Sequence, residues 1–234
     1  MLDSIRPIIA SLRTAPLRHP DRPPPPKQVA PFVTISREPG AGAVTLGRVL
    51  ADRLSRTLPG ERPWTCWDRD AVDAVTADAQ THSQVIDALE ASSHSWLAEF
   101  LGGLSMADHT EAKLFAKTAA TVRALAEAGR VVIIGRGGVL ITRKMPGGVH
   151  VRLVAPLEYR IAHVAEYYQI SRDAAVMKIK ELEHNQQVFF KRYWPEMPLV
   201  PEVFTITINT QQVDQEGAVG LIVSLVERNL VRRA

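Results

Sequence analysis

The stretch FVTISREPGAGAVTLGRVLADRL, residues 32 to 54, restricts the fold more than any other part of the chain. A short apolar, β-branched run over 32–36 stops at a turn holding Gly40 and Gly42. Leu46, Val49, Leu50 and Leu54 then recur at helical spacing. A strand that feeds a helix through a glycine turn gathers unpaired N–H groups and the positive helix end at one point, which suits a phosphate. Glycines let the backbone there take positive φ and come close to a ligand. The lysine-bearing pattern G-x-x-x-x-G-K-[ST] is not met, in spacing or in lysine, because Ala43 stands where the cation would be. On the turn alone, phosphate binding and plain strand-on-helix packing both stay open.

The alternation continues along the chain. WTCW (64–67) reads as a strand, and DRDAVDAVTADA as a helix entered through Asp68. Residues 82–101 are polar and weakly helical. A strong amphipathic helix is predicted over 110–128, with Phe115, Ala119, Val122 and Leu125 on one stripe and Gly129 as its stop. VVIIG (131–135) and VHVRLVA (149–155) read as buried strands, and Pro156 sits in the first turn of the helix that follows. Ser171 caps the next helix, which runs to about Tyr193 with Val176, Ile179 and Leu182 inward. VFTITIN (203–209) is the last strand and GAVGLIVSLVERNL the closing helix. Five strands alternating with helices predict an α/β domain whose mostly parallel sheet is covered on both faces.

Residues 1–30 differ in kind. They hold seven of the 16 prolines, including RPPPPK at 22–27, a composition that favours extended polyproline II over a helix. The expected organisation is therefore a basic, Pro-rich flexible tail over 1–30 and a folded domain over 31–234. The net charge of +3 resides in the tail, where Arg6, Arg13, Arg18, Arg22 and Lys27 outnumber Asp3 and Asp21. Such a tail is read as a solvated leader capable of weak contacts with nucleic acid or acidic lipid. The lone Cys66 excludes an intrachain disulfide framework, fits a reducing compartment, and reads as a buried thiol within WTCW. No apolar run approaches the ~18 residues that span a bilayer. The N-terminus carries Asp3 and lacks a long apolar stretch, so a cytoplasmic protein with no membrane partner is expected. The histidines are scattered without metal-cage spacing, no G-x-S-x-G elbow is present, and no stacking platform for single-stranded RNA is visible.

Candidate site residues gather at predicted strand ends. Arg136, within IIGRGGVL, follows a buried strand, and ligands of open α/β sheets lie beyond the carboxyl ends of strands. Arg136 would then face the same crevice as the Gly40 turn, with a guanidinium suited to gripping phosphate. Asp68 and Arg69 also follow a strand, where a helix cap beside a solvated charge is the competing reading. Arg160 reads equally as an exposed helix residue. Lys191 and Arg192, beside Phe189, Phe190, Tyr193 and Trp194, either close over a phosphate or form the cationic last turn of a helix.

In order along the chain, VTISREPGAGA, WDRDAV, VRALAEAGRVVIIGRGGVLI, VRLVAPLEYRIAHVAE, FFKRYW and ITINT resemble the cytidylate kinase-like family, a branch of the nucleoside monophosphate kinases. The resemblance spans about residues 31 to 230 and implies a P-loop three-layer sandwich with sheet order 2-3-1-4-5 and a helical lid. It implies transfer of the γ-phosphoryl group of ATP, with Mg²⁺, to cytidine monophosphate or a similar nucleotide acceptor. By position it makes Gly40, Ala41, Gly42, Ala43, Val44 and Thr45 the ATP phosphate loop, with Thr45 at the metal. Asp68, Arg69, Arg136 and Gly137 become the acceptor side. Arg160, Lys191 and Arg192 join Arg136 as catalytic cations of the lid region. Three departures accompany it. The loop lacks the lysine and following glycine of GAGKGT, although the kinase-like branch often has glycine for that lysine. A lid pattern D-R-x-R appears as Glu183-His184-Asn185-Gln186, and no acidic residue ends the strand at 131–134. Losing those cations threatens catalysis more than binding. A silent nucleotide sensor or interaction module, and a kinase for another small acceptor, are therefore the alternatives.

Overall fold

The computed structural model describes residues 30–78, 82–83, 89, 91–102, 109–197 and 199–231. The tail over 1–29 and part of the polar stretch after Ala77 lie outside these residues. Strands β1 (Phe32–Arg37), β2 (Thr65–Trp67), β3 (Val131–Ile134), β4 (Gly148–Val154) and β5 (Ile206–Asn209) form one sheet in the order β2-β3-β1-β4-β5. Every pairing is parallel; Val33 of β1 lies between Val132 and Val149.

Strand alternation sorts the core. Val33, Ile35, Val132, Ile134, Val149, Val151 and Leu153 face one layer, formed by α1 (Ala43–Thr57) and α8 (Gln215–Val231). Phe32, Val131 and Ile133 face the other, built from α2 (Arg69–Ala77), α4 (His109–Ala128) and α5 (Gly138–Thr142), with α3 (Ala91–Gly102) packed on α4. Parallel strands buried on both sides need near-continuous apolar runs, and β3 (VVII) is fully buried. The α4 stripe of Phe115, Ala119, Val122 and Leu125 is buried as its spacing predicts.

Helices α6 (Leu157–Tyr168) and α7 (Arg172–Tyr193) form a hairpin with a small core of its own, Ile161, Val164, Ala175 and Ile179. Ser171 caps α7 by accepting from the Ala174 N–H at 3.3 Å. Of the inward positions expected on α7, Ile179 is buried while Val176 and Leu182 are half-buried. The far end of α7 leaves this hairpin and enters the main core, where Tyr193 stacks on Phe115 with centroids 3.8 Å apart and Trp194 meets Phe115 edge-on.

Three local expectations are corrected. Pro156 is the N-cap of α6 rather than a first-turn residue. The last strand is Ile206–Asn209, because Pro201–Val203 coils into a 3₁₀ turn ahead of it. Cys66 is half-buried, yet burial, aided by the Asp68 carboxylate, still pushes its thiol up to about 12. A thiol held in that range is not a nucleophile near neutrality.

Candidate active site

The carboxyl ends of β1, β2 and β3 open into a cleft of about 1150 Å³ between the sheet and the α6–α7 hairpin. One wall is the turn from Pro39 to Thr45. Gly40 has φ 87°, and a side chain there would stand 2.6 Å from the Arg160 carbonyl oxygen, so only glycine fits between the turn and α6. Helix α1 starts from Gly42 with no capping side chain, which leaves its first-turn N–H groups to an anionic ligand. Ala43 is 5% exposed and its methyl belongs to the core under the turn. The position that would carry a lysine in the related pattern thus points its Cβ into packed apolar side chains. Thr45 is exposed and lines the cleft.

The opposite wall carries cations. Gly135, Arg136 and Gly137 have φ of 76°, 55° and 68°, a run of left-handed residues in which Arg136 is the strained member. Trp194 packs on Gly137 and fixes the turn from behind. Arg136 is ion-paired with Asp73 of α2, and Asp73 also lies 3.6 Å from Arg69. Burial, with the charges of Arg69 and Arg37 beside it, brings the Arg136 guanidinium down to about 10. Its Nε is buried and meets no acceptor among the described residues. Asp68 caps α2, accepting from the Ala71 N–H at 3.0 Å, and stands 3.6 Å from Arg48.

Asp68, Arg69, Arg136 and Gly137 therefore share one cleft with the turn from Gly40 to Thr45. The remaining expected cations do not line it. Arg160 is 8% exposed beneath the turn, where its Nε donates to the Ala155 carbonyl and its Nη1 to the Pro39 carbonyl and to Glu183 at 2.7 Å. Glu38 completes this cluster, with one carboxylate oxygen 3.6 Å from Arg160 and accepting from the Ala155 N–H at 3.1 Å. Gln186 of α7 donates to the Arg37 carbonyl at 3.3 Å. The lid residues Glu183 and Gln186 thus latch α7 to the base of the turn. Lys191 and Arg192 sit at the exposed end of α7, away from the cleft lining.

Sequence reasoning missed several lining residues, among them four that carry a charge or a hydroxyl. Arg37 ends β1, Asp73 is one helical turn past Arg69, and Tyr168 closes α6. Lys178, a cleft-lining lysine carried by the lid, is paired with Glu181 at 3.0 Å. The i,i+4 spacing of Arg69 and Asp73 was the one available signal. Among the described residues no three His, Cys, Asp or Glu side chains gather as a metal site, and no helix is long and apolar enough to cross a membrane.

Among solved structures, an uncharacterised protein from Eubacterium ventriosum is 17% identical, with TM-score 0.60 over 86% of this chain and 99% of that one. Shikimate kinase from Acinetobacter baumannii, in complex with shikimate, is 15% identical, with TM-score 0.45 over 86% and 96% of the two chains. Shikimate kinase from Bacteroides thetaiotaomicron is 14% identical, with TM-score 0.46 over 84% and 98%. No curated protein matches the sequence. The strand order, with helices on both faces of the sheet, is that of a P-loop three-layer sandwich. The profile of the cytidylate kinase-like family matches residues 32–212, most of the folded chain, and this protein belongs to that family.

Proposed function

We propose that the protein is a nucleotide-dependent phosphotransferase, taking the terminal phosphoryl group of ATP to a small acceptor that carries a phosphate, a nucleoside monophosphate of the cytidylate type in the first instance. The observation that carries this reading is the two-sided cleft: an uncapped helix N-terminus on one wall faces an arginine-bearing turn on the other. The Gly40–Thr45 backbone would hold the nucleotide phosphates, and Arg136 and Arg69 the acceptor phosphate. An oxygen of that phosphate would attack the terminal phosphorus while the bond to the β–γ bridging oxygen breaks and ADP leaves with its electron pair. The attacking oxygen is already anionic, so no base is required. Mg²⁺ fits this cleft as an ion borne by the nucleotide, with the Thr45 hydroxyl as the oxygen donor of the turn, since the strand that ends at Ile134 offers no carboxylate. Catalysis of this kind rests on positioning and charge.

A second reading has its own support. Ala43 presents no cation, and the lid contributes Glu183 and Gln186 where arginines would assist transfer. A protein that binds nucleotide and turns it over slowly, or not at all, is consistent with both.

Arg136→Ala is the test. It should weaken binding of cytidine monophosphate by roughly 1.5–3 kcal/mol, the worth of a charge-assisted hydrogen bond, and change ATP binding much less. Calorimetry giving equal losses for the two ligands, or none, would remove Arg136 from an acceptor site. Coupled ADP release with cytidine monophosphate separates the readings: turnover at roughly 1–100 s⁻¹ supports the kinase. Tight binding without ADP release supports the silent module.

A further inference from the structure

Arg37 was assigned no role by any pattern in the sequence, yet it occupies an unusual position. It ends the central strand β1, and its guanidinium lies over Gly135, with Nη1 2.5 Å from where a side chain on that residue would begin. With no side chain on Gly135 in the way, the Arg37 guanidinium reaches the turn that carries Arg136. Arg37 lines the cleft but donates to no carboxylate or carbonyl among the described residues. Its backbone carbonyl is used by Gln186, while its side chain feels the charge of Arg69 and the Tyr168 hydroxyl and acts in turn on Arg136. Burial and the neighbouring Arg69 both disfavour its charge. Three arginines thus converge on one end of the cleft, and the carboxylate bound among them, Asp73, contacts Arg136 and Arg69. Grouping like charges at the edge of a low-dielectric pocket is unfavourable unless an anion joins them. Asp73 binds two of the three guanidinia, and the Asp70 carboxylate also acts on Arg136. Yet two carboxylates face three guanidinia, Arg37 has no carboxylate partner among the described residues, and the buried Nε of Arg136 is still without an acceptor.

We propose that Arg37, Arg69 and Arg136 form a single cage for a compact dianion such as a phosphate monoester, and that the Asp73 carboxylate is the resident counter-ion which this ligand displaces. Arg37 is the member left free to meet the incoming anion. Asp73 acts through Arg136, keeping it in the cleft while the cage is empty and setting a threshold that only a more strongly charged group overcomes. A monocarboxylate, with one charge, competes poorly with Asp73. The cage deepens the acceptor reading given above and rests on it for the identity of the anion's carrier, but inorganic phosphate alone is enough to probe it.

The experiment is calorimetric titration of the full chain with inorganic phosphate, for the wild type, Arg37→Gln and Asp73→Asn. A charge-assisted contact to a dianion predicts a loss of about tenfold or more in affinity for Arg37→Gln. Removing the resident carboxylate should instead tighten phosphate binding several-fold, a gain that a purely structural role for Asp73 would not produce. Arg37→Lys is titrated beside them, in case Arg37→Gln does not fold; it retains the charge without the fork and should bind several-fold more weakly than wild type. Undiminished phosphate affinity in the folded Arg37 variants overturns the cage, as does weaker binding in Asp73→Asn or no phosphate binding by the wild type. Cytidine monophosphate in parallel separates the two ideas. If phosphate binding depends on Arg37 while the nucleotide fails to bind, the cage stands and the nucleotide acceptor falls. If both ligands bind without regard to Arg37, the cage falls and the kinase reading stands.

Discussion

Ala43 shows how a single position changes meaning once its surroundings are known. In the sequence it is the place of a missing lysine. In the fold its methyl is 5% exposed, packed in the cluster of Leu46, Leu50 and the α1-facing strand residues. Ala43 also borders the cleft, so Ala43→Lys would have to carry four methylenes from a packed Cβ position out into it, and overpacking at that Cβ costs about 1–3 kcal/mol. The variant should accordingly be less stable in urea unfolding and bind ATP no more tightly than wild type. A variant of wild-type stability with tighter ATP binding would show that the turn accepts the cation and lacks it only by substitution. Val44, half-buried against the same cluster, argues against that outcome because its branched side chain fixes the first turn of α1 in place.

At the scale of elements, the lid is tied to the turn by polar contacts, while the far end of α7 is anchored in the main core. Its own core is four buried side chains, and the bonds that tie its α7 arm to the turn run through Arg160–Glu183 and Gln186–Arg37. Glu183→Gln removes the charge opposite a buried guanidinium and leaves Glu38, 3.6 Å away, as the remaining carboxylate. Charge-assisted bonds of this kind contribute about 1.5–3 kcal/mol, so a loss near the lower value is expected, together with faster amide hydrogen exchange in α6 and α7. Unchanged exchange in the hairpin would mean that the latch does not hold the lid. The elements themselves were legible because β-branched runs such as VVII and VHVRLV have no other stable use in a covered sheet. The colocation of Arg136, Asp68 and the Gly40 turn was legible because strand ends in parallel sheets converge on one edge. Arg160 and Arg37 were not. The burial of Arg160 depends on how closely α6 approaches Gly40, and the aim of Arg37 on the bare Cα of Gly135, both contacts between segments far apart in sequence. The start of β5 was placed at Val203 for a related reason, since Val203 and Phe204 read as strand residues but give their N–H groups to the 3₁₀ turn that Pro201 opens.

For the whole molecule, the sheet carries its own acid-sensitive point. Strand alternation places His150 on the face of β4 opposite Val149 and Val151, against Thr34, whose hydroxyl is 2.8 Å from Nδ1, and edge-on to Phe32. The residue is 8% exposed in the middle of the sheet, and burial lowers its pKa from 6.5 to about 4. A histidine held neutral in the fold but free to protonate when unfolded makes the unfolded state bind more protons over that range, so stability rises with pH there. The contribution is complete above the unfolded value of 6.5, declines as pH falls, and levels off near 4, where the folded protein also takes the proton. Linkage puts the decline between pH 7.5 and pH 5 at about 2 kcal/mol. Protonation would put a hydrogen on both ring nitrogens and place a charge beside β1, whose far end carries the Gly40 turn, so loss of the sheet and loss of ligand binding should coincide. His150→Gln removes the titration while keeping polar atoms near Thr34. It should lower stability at neutral pH but flatten the acid limb, shrinking the difference between urea unfolding at pH 7.5 and at pH 5 by about 2 kcal/mol. If the variant shows the same pH slope as wild type, the acid sensitivity belongs to the carboxylates of the surface and lid, and His150 serves the sheet only as a packed ring.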